Sequence, residues 1–295
     1  MSSAQTRTLE SPILVEGEFA FTGADFARIA DLLYQQAGIA LSESKTTLVY
    51  SRLAKRLRAL GLSSFSGYCD IVSEPSGADE RATMLNALTT NVTRFFREPH
   101  HFEHLREHVL APRVADLRAG RTRMRLWSAG CSSGQEPYSM AIAVLSLMPD
   151  APNLDIKILA TDIDTKVLAT GREGVYGEEL VSAIPAEARA RCLERDPRTP
   201  GQWRLSEAAR SLVSFKELNL IGQWPIKGPF DAIFCRNVVI YFDEPTQEKI
   251  WSRFQPLLGA QGRLYIGHSE RVGAAGSRFV SDGLTVYRPV AGGHS

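Results

Sequence analysis

The chain has 295 residues, 44% hydrophobic and 23% charged, close to globular averages, which excludes a disordered, collagen-like or coiled-coil protein. At about 150 residues per domain there is room for one large domain or two ordinary ones. Lys and Arg number 34 against 33 Asp and Glu, so the net charge of +1 excludes a general polyanion binder, and an acidic partner has to be met locally.

The longest strongly apolar stretch, Ala141 to Met148, is far short of the roughly 20 residues a membrane helix needs, so no membrane insertion is expected. The N-terminus carries acids and lacks an apolar core, which predicts neither signal peptide nor lipidation and points to a cytoplasmic protein. Cys69, Cys131, Cys192 and Cys235 form no C-x-x-C pair, so reduced thiols are expected rather than disulfides or zinc.

In chain order, residues 1–17 read as a flexible polar tail, and 18–85 as a helical N-terminal domain. A cap near Thr22 opens its first helix. The stretch from Lys45 places Leu53, Leu57 and Leu60 on one face and stops at Gly61. Its other face carries Lys45, Arg52, Lys55, Arg56 and Arg58 with no acid between Lys45 and Leu60. Such a run is either a solvated face or a docking surface. Glu74 to Asp79 reads as a loop and Glu80 to Leu88 as a helix, leading into a linker over 86–109.

Residues 110–295 alternate differently. MRLWSAG, a glycine loop, YSMAIAVLSLM, the strand DIKILATD, a helix over Thr165 to Gly171, FDAIFC, GRLYIGHS and LTVYRPV predict an α/β domain with a mostly parallel sheet. Residues 176–218 interrupt it as an inserted β-subdomain with a helix over Pro185 to Glu194 and short antiparallel stretches such as Leu212 to Lys216.

The loop Gly130-Cys-Ser-Ser-Gly134, between strand and helix, suits a nucleotide-like ligand, yet it matches neither G-x-G-x-x-G nor the P-loop. Asp162 closes the second strand, where an acid accepts from a ribose diol. It lies 162 − 130 = 32 residues beyond Gly130, against about 20 in dinucleotide sites, which argues against a dehydrogenase. Glu136 opens the helix beside the loop. It either complements the helix dipole or meets a cationic ligand, and the charge sign favours S-adenosylmethionine over a phosphate.

Long motifs in order now carry a resemblance: ALTTNVTRFFRE (87–98), WSAGCSSGQEPYSMA (127–141), ATDIDTKVL (160–168), Asn219-Leu220, GPFDAIFCRNVVIYFD (228–243) and GHSE (267–270). Over residues 20–290 the chain resembles the CheR-type chemotaxis methyltransferases. The resemblance implies an all-α N-terminal domain followed by a Rossmann-like class I methyltransferase domain with a small inserted β-subdomain. It implies S-adenosylmethionine as cofactor, S-adenosylhomocysteine as product, and glutamates on the helical cytoplasmic domain of chemoreceptors as acceptors. It further implies that Asn91, Thr93, Arg97, Glu136, Asp162, Asn219, Leu220, Arg236 and Asn237 line the cofactor site. Gln135 stands where relatives often carry a first Glu.

A carboxylate acceptor, with an ordinary pKa near 4.3, needs no general base, so positioning groups are sought: Arg97 to hold a carboxylate and Tyr241 to orient the acceptor. The alternatives are a surface pair between Arg97 and Glu98, and core packing for Tyr241. The basic helix with Lys45, Arg52, Lys55, Arg56 and Arg58 is expected to dock on the acidic receptor bundle. The β-subdomain is a possible seat for a receptor C-terminal peptide, and a monomer is the default. His101, His104 and His108 flank an apolar helical stripe as an ordinary boundary does, so no metal is expected. Cys235 has no partner histidine that would make it a nucleophile. No Asn/Asp-Pro-Pro-Tyr pocket supports a nucleic-acid methyltransferase. A module that binds without turnover remains the other class.

Overall fold

The computed structural model describes residues 11–273 and 278–290 and divides the chain into two compact units between Thr89 and Thr90. In the first unit β1 (Ile13–Val15) pairs antiparallel with β2 (Phe21–Thr22), so the end of the expected tail is a strand. The connection is anchored by aromatic burial, the Phe21 ring centroid lying 4.4 Å from that of Phe65. Residues 1–10 of that tail lie outside the described residues.

Thr22 caps α1 (Gly23–Ala37) as expected: its hydroxyl accepts from Asp25 N–H at 3.2 Å, and the Asp25 carboxylate reaches back to Thr22 N–H at 3.1 Å. α2 (Thr46–Leu60) ends at Gly61, whose φ of 66° is the left-handed C-cap glycine tolerates. Its buried stripe is Val49, Leu53, Ala54 and Leu57. Leu60, expected on that face, is 41% exposed, because it is the last helical residue and lies beyond the packed turns. α3 (Phe65–Ser73), absent from the sequence reading, is capped by Ser64 and buries Phe65, Tyr68, Cys69 and Val72. α4 (Ala78–Leu88) starts ahead of Glu80 and runs past residue 85.

In the second unit, α5 (Pro99–His104), a π-helical turn (Leu105–Leu110) and α6 (Val114–Arg118) precede the sheet. The stretch expected as linker is therefore partly core: Phe102, Leu105 and Val109 are buried in the main apolar cluster. The chain continues through β3 (Met124–Ala129), α7 (Gln135–Leu147), β4 (Ile156–Asp162) and α8 (Thr165–Glu173). A second, three-stranded sheet follows: β5 (Val175–Gly177), α9 (Glu178–Val181), α10 (Ala186–Cys192), β6 (Leu193–Arg195) and β7 (Gln202–Leu205), with β7 central.

After α11 (Glu207–Ser211), β8 (Val213–Glu217) returns to the main sheet and pairs parallel with β4. The expected insertion thus ends earlier than 218, and Leu212 to Lys216 is not an antiparallel stretch of it. Five residues with one buried aromatic carry no local signal for the sheet they join. β9 (Phe230–Cys235), α12 (Glu244–Phe254), β10 (Leu258–Ile266), β11 (Phe279–Gly283) and β12 (Val286–Pro289) complete the chain.

The main sheet has the order β11-β12-β10-β9-β3-β4-β8, parallel from β10 to β8, with β11 and β12 antiparallel. Neighbouring residues of one strand face opposite cores. Leu126, Ala232 and Tyr265 point into one cluster, while Trp127, Ile233 and Leu264 point into the other. Coverage of both faces explains why β3 and β9 read as near-continuous apolar runs. The chain moves from β3 outward to β4 and β8, then crosses back to β9 on the other side of β3. This reversal places a crevice at the carboxyl ends of β3 and β9, where open α/β sheets take their ligands.

Candidate active site

The loops at these strand ends carry the expected residues in two hydrogen-bonded groups. In the first, Gly130 and Gly134 adopt φ of 77° and 96°, turning the chain sharply from β3 into α7. A Cβ on Gly130 would overlap the Val238 side chain, so glycine is required there on two counts. Asp162 accepts from Ser132 N–H at 2.8 Å and from Asp164 N–H at 3.0 Å. Asp164 caps α8 and accepts from the Asn91 amide at 2.8 Å, and Ser132 returns a hydrogen bond to the Asn91 carbonyl at 2.9 Å. Asn91, Ser132, Asp162 and Asp164 thus form a closed ring. The Asp162 carbonyl also accepts from Leu218 N–H, which ties in the turn of Asn219 and Leu220. Asn219 accepts from Ile221 N–H there, and Leu220 is buried.

Asp162 was expected to face a ribose. In the structure its oxygens hold two loops, and burial pushes its pKa up against the backbone bonds from Asp164 and Ser132. Each carboxylate oxygen has further lone-pair capacity, so the loop-holding bonds do not exhaust it.

The second group centres on Arg236, whose side chain is 1% exposed and lies over the rings of Phe102 and Phe234 at 5.6 and 5.9 Å. One nitrogen is 3.2 Å from Glu136, another 3.2 Å from Glu98, and the latter also donates to the Arg97 carbonyl. Glu136 in addition accepts from the Ser128 hydroxyl at 2.7 Å. Burial pushes the Glu136 carboxyl up, with Arg236 and Ser128 pulling the other way. Glu98 is also pushed up by burial, but the His268 hydrogen bond and the Arg236 charge outweigh this and hold it down at about 2.

Asn237, at φ 59°, is fixed by Glu270, a carboxylate 2% exposed that accepts from the N–H groups of Asn237, Val238, Val239 and Gly267 at 2.6–3.0 Å. Phe96, Glu98 and Ser132 also have left-handed backbone. Strain of this kind persists only where surroundings over-determine it, and here it concentrates in the loops of one site.

Arg97 does not pair with Glu98; its guanidinium donates to the Val92 carbonyl at 3.3 Å. Thr93 and Tyr241 are half-buried, Thr93 in the loop between Asn91 and Arg97 and Tyr241 in the 3₁₀ turn Val239–Tyr241. Tyr241 is not a fully buried packing residue. His101, expected at a boundary, is fully buried and bonded to Thr285 at 2.8 Å, because α5 packs against the sheet. Among the described residues no cluster of three or more His, Cys, Asp or Glu side chains can hold a metal.

The basic helix differs from its expectation. Arg52 donates to the carbonyls of Ala87, Leu88 and Thr89 at 2.8–3.3 Å, tying off the end of α4. Arg56 makes a two-pronged pair with Glu80 at 2.9 and 2.6 Å, and Glu80 also accepts from Tyr68. Arg58 pairs with Glu18 at 2.6 Å on the surface. Arg52 and Arg56 serve the fold of their own unit, and the exposed cations of the face are Lys45, Lys55 and Arg58. Sequence reasoning missed this because the partners lie 24 to 40 residues away. It also missed roles for Glu98, Ser132, Asp164, His268 and Glu270. A Glu three residues after Gly267, just past the apolar strand β10, was the available signal for Glu270.

Family models match both units: "CheR methyltransferase, all-alpha domain" over residues 24–89 and "CheR methyltransferase, SAM binding domain" over residues 91–287. The probable chemotaxis protein methyltransferase of Rhizobium etli is 54% identical over 259 residues, 87% of this chain and 96% of that protein. Chemotaxis protein methyltransferase 2 of Pseudomonas aeruginosa is 43% identical over 287 residues, 95% and 98% of the two chains. The chemotaxis protein methyltransferase of Escherichia coli K12 is 43% identical over 270 residues, 91% of each chain. An α-helical unit, a doubly covered sheet with its ligand crevice, and these matches over nearly the whole chain place the protein in the CheR methyltransferase family, with S-adenosylmethionine as its cofactor.

Proposed function

We propose that this protein transfers the methyl group of S-adenosylmethionine to glutamate side chains of chemoreceptors, giving glutamate 5-O-methyl esters and S-adenosylhomocysteine for sensory adaptation. The observation that carries this reading is the charge of the buried site: two carboxylates, Glu98 and Glu136, face the single guanidinium of Arg236. A surplus negative charge out of water is complemented by a cationic ligand and repels a phosphate. The Asn237 side-chain oxygen, buried and without a hydrogen-bond partner, adds an acceptor for a ligand donor. These residues fit the cofactor.

Asn91, Thr93, Arg97, Glu136, Asp162, Asn219, Leu220, Arg236 and Asn237 are the proposed cofactor-site residues. Arg236 acts through Glu136 and the Arg97 backbone, since its own side chain is enclosed. When bound, the cofactor supplies a methyl group on a sulfonium. The protein's task is to align the acceptor oxygen with that methyl and keep water away. The acceptor is ionised at neutral pH, so no proton has to be removed. Arg97 holds a carboxylate by a charge-assisted hydrogen bond, and the Tyr241 hydroxyl orients the acceptor.

The docking face consists of Lys45, just ahead of α2, with Lys55 and Arg58 on it; an acidic receptor helix can displace the surface pair of Arg58 with Glu18. The second, three-stranded sheet ends in the edge strands β5 and β6, to which a receptor C-terminal peptide adds as a further strand. No helix among the described residues is long and apolar enough to cross a membrane, and we place the enzyme in the cytoplasm as a monomer.

The test is transfer of labelled methyl from S-adenosylmethionine to membranes carrying the organism's chemoreceptors. Base-labile label on receptor glutamates, lost with Arg97→Ala, is expected. Cofactor binding without label would move the reading to another acceptor or to a binding module.

A further inference from the structure

Glu98 contributes to the charge of the site without being among the proposed cofactor-site residues, and its placement is tightly constrained. Its backbone is left-handed at φ 57°, directly before Pro99 opens α5. One carboxylate oxygen accepts from His268 Nδ1 at 2.9 Å and from His268 N–H at 3.3 Å. The other lies 3.2 Å from Arg236 and 3.4 Å from His101 Nδ1. His101 is neutral here, because burial and then the Arg236 charge press its pKa down to about 3. The Arg236 guanidinium therefore lies between two carboxylates, Glu98 on one side and Glu136 on the other.

We propose that Glu98 is a positioning residue of the cofactor site: by engaging one end of the Arg236 guanidinium, it leaves Glu136 with charge that Arg236 does not cancel and so sets the site's preference for a cation. The proposal rests on the functional reading above. Without the Glu98 charge, Arg236 is left wholly to Glu136, and the negative surplus of the site falls by one. The Glu98→Gln variant removes the charge and nearly retains the shape; any change in its hydrogen bonding with His268 affects both ligands alike and cancels in a ratio of affinities.

The readout is the ratio of affinities for two ligands that differ at sulfur: S-adenosylmethionine carries a sulfonium and S-adenosylhomocysteine a neutral thioether. Calorimetric titration of the full chain gives both dissociation constants, with thermal melting as the check on folding. Glu98→Gln is expected to weaken S-adenosylmethionine about tenfold more than S-adenosylhomocysteine, as removal of one charge from a poorly screened site requires. His268→Ala and Glu98→Asp keep the carboxylate and should keep the wild-type ratio within about twofold. Equal weakening of both ligands by Glu98→Gln, or none, makes Glu98 merely structural and overturns the proposal. Should Glu98→Gln fail to fold, a ratio that falls in Glu98→Asp overturns it as well. A wild-type chain that binds neither ligand refutes the functional reading itself.

Discussion

Glu270→Gln tests how the Asn237 turn is held. The two Glu270 oxygens each take two backbone N–H groups: Gly267 and Asn237 on one, Val238 and Val239 on the other. Gln offers a single acceptor oxygen, so two donors lose their partner and face an NH2 group instead. At about 1.5–3 kcal/mol per hydrogen bond to a charged group, the loss comes to about 3–6 kcal/mol. Burial penalises the charge of Glu270 itself, pushing its pKa up against those four bonds, and Gln escapes that penalty. A net destabilisation of about 3 kcal/mol remains, worth about 6–12 °C of melting temperature in a domain of this size. Asn237 and the Val239–Tyr241 turn lose their anchor in the same step, so affinity for S-adenosylmethionine should fall with stability. Differential scanning calorimetry and cofactor titration measure both. Melting within about 2 °C of wild type would refute the four-donor clamp.

Gly130→Ala combines a φ of 77° with overlap on Val238, so the loop must shift. Backbone strain of about 1–2 kcal/mol and at least tenfold weaker cofactor binding are expected by calorimetry. His101→Gln should reduce acid sensitivity. The folded state keeps His101 neutral down to about pH 3 while the unfolded chain protonates it near 6.5, so wild-type stability is full above 6.5 and falls towards 3. Urea titrations at several pH values should give the variant a flatter slope over that window. Lys45→Glu with Lys55→Glu should slow receptor methylation severalfold while leaving cofactor affinity and melting unchanged. Reversal of Arg56, by contrast, would set a second carboxylate against Glu80 and destabilise its unit, as urea denaturation would reveal.

Much of this protein was determined by local sequence. The Thr22 cap, the Gly61 stop, the apolar runs of β3, β4 and β9 and the glycine turn after β3 follow from short-range physics: cap hydrogen bonds, left-handed backbone and burial on both faces. The placement of Glu136 and Asp162 at the strand-end loops was legible because a strand end followed by a glycine loop fixes where a side chain must emerge. Tertiary structure alone decided which charges are spent. Arg52 and Arg56 read as a docking face but bind backbone and Glu80 within their own unit. Glu98 read as a neighbour for Arg97 but turns, through a left-handed residue, to Arg236 and His268. β8 read as part of the insertion because nothing within five residues names its partner β4, some 50 residues earlier. Periodicity and capping are local and survive in the sequence, whereas charge pairing and strand order depend on contacts between distant segments.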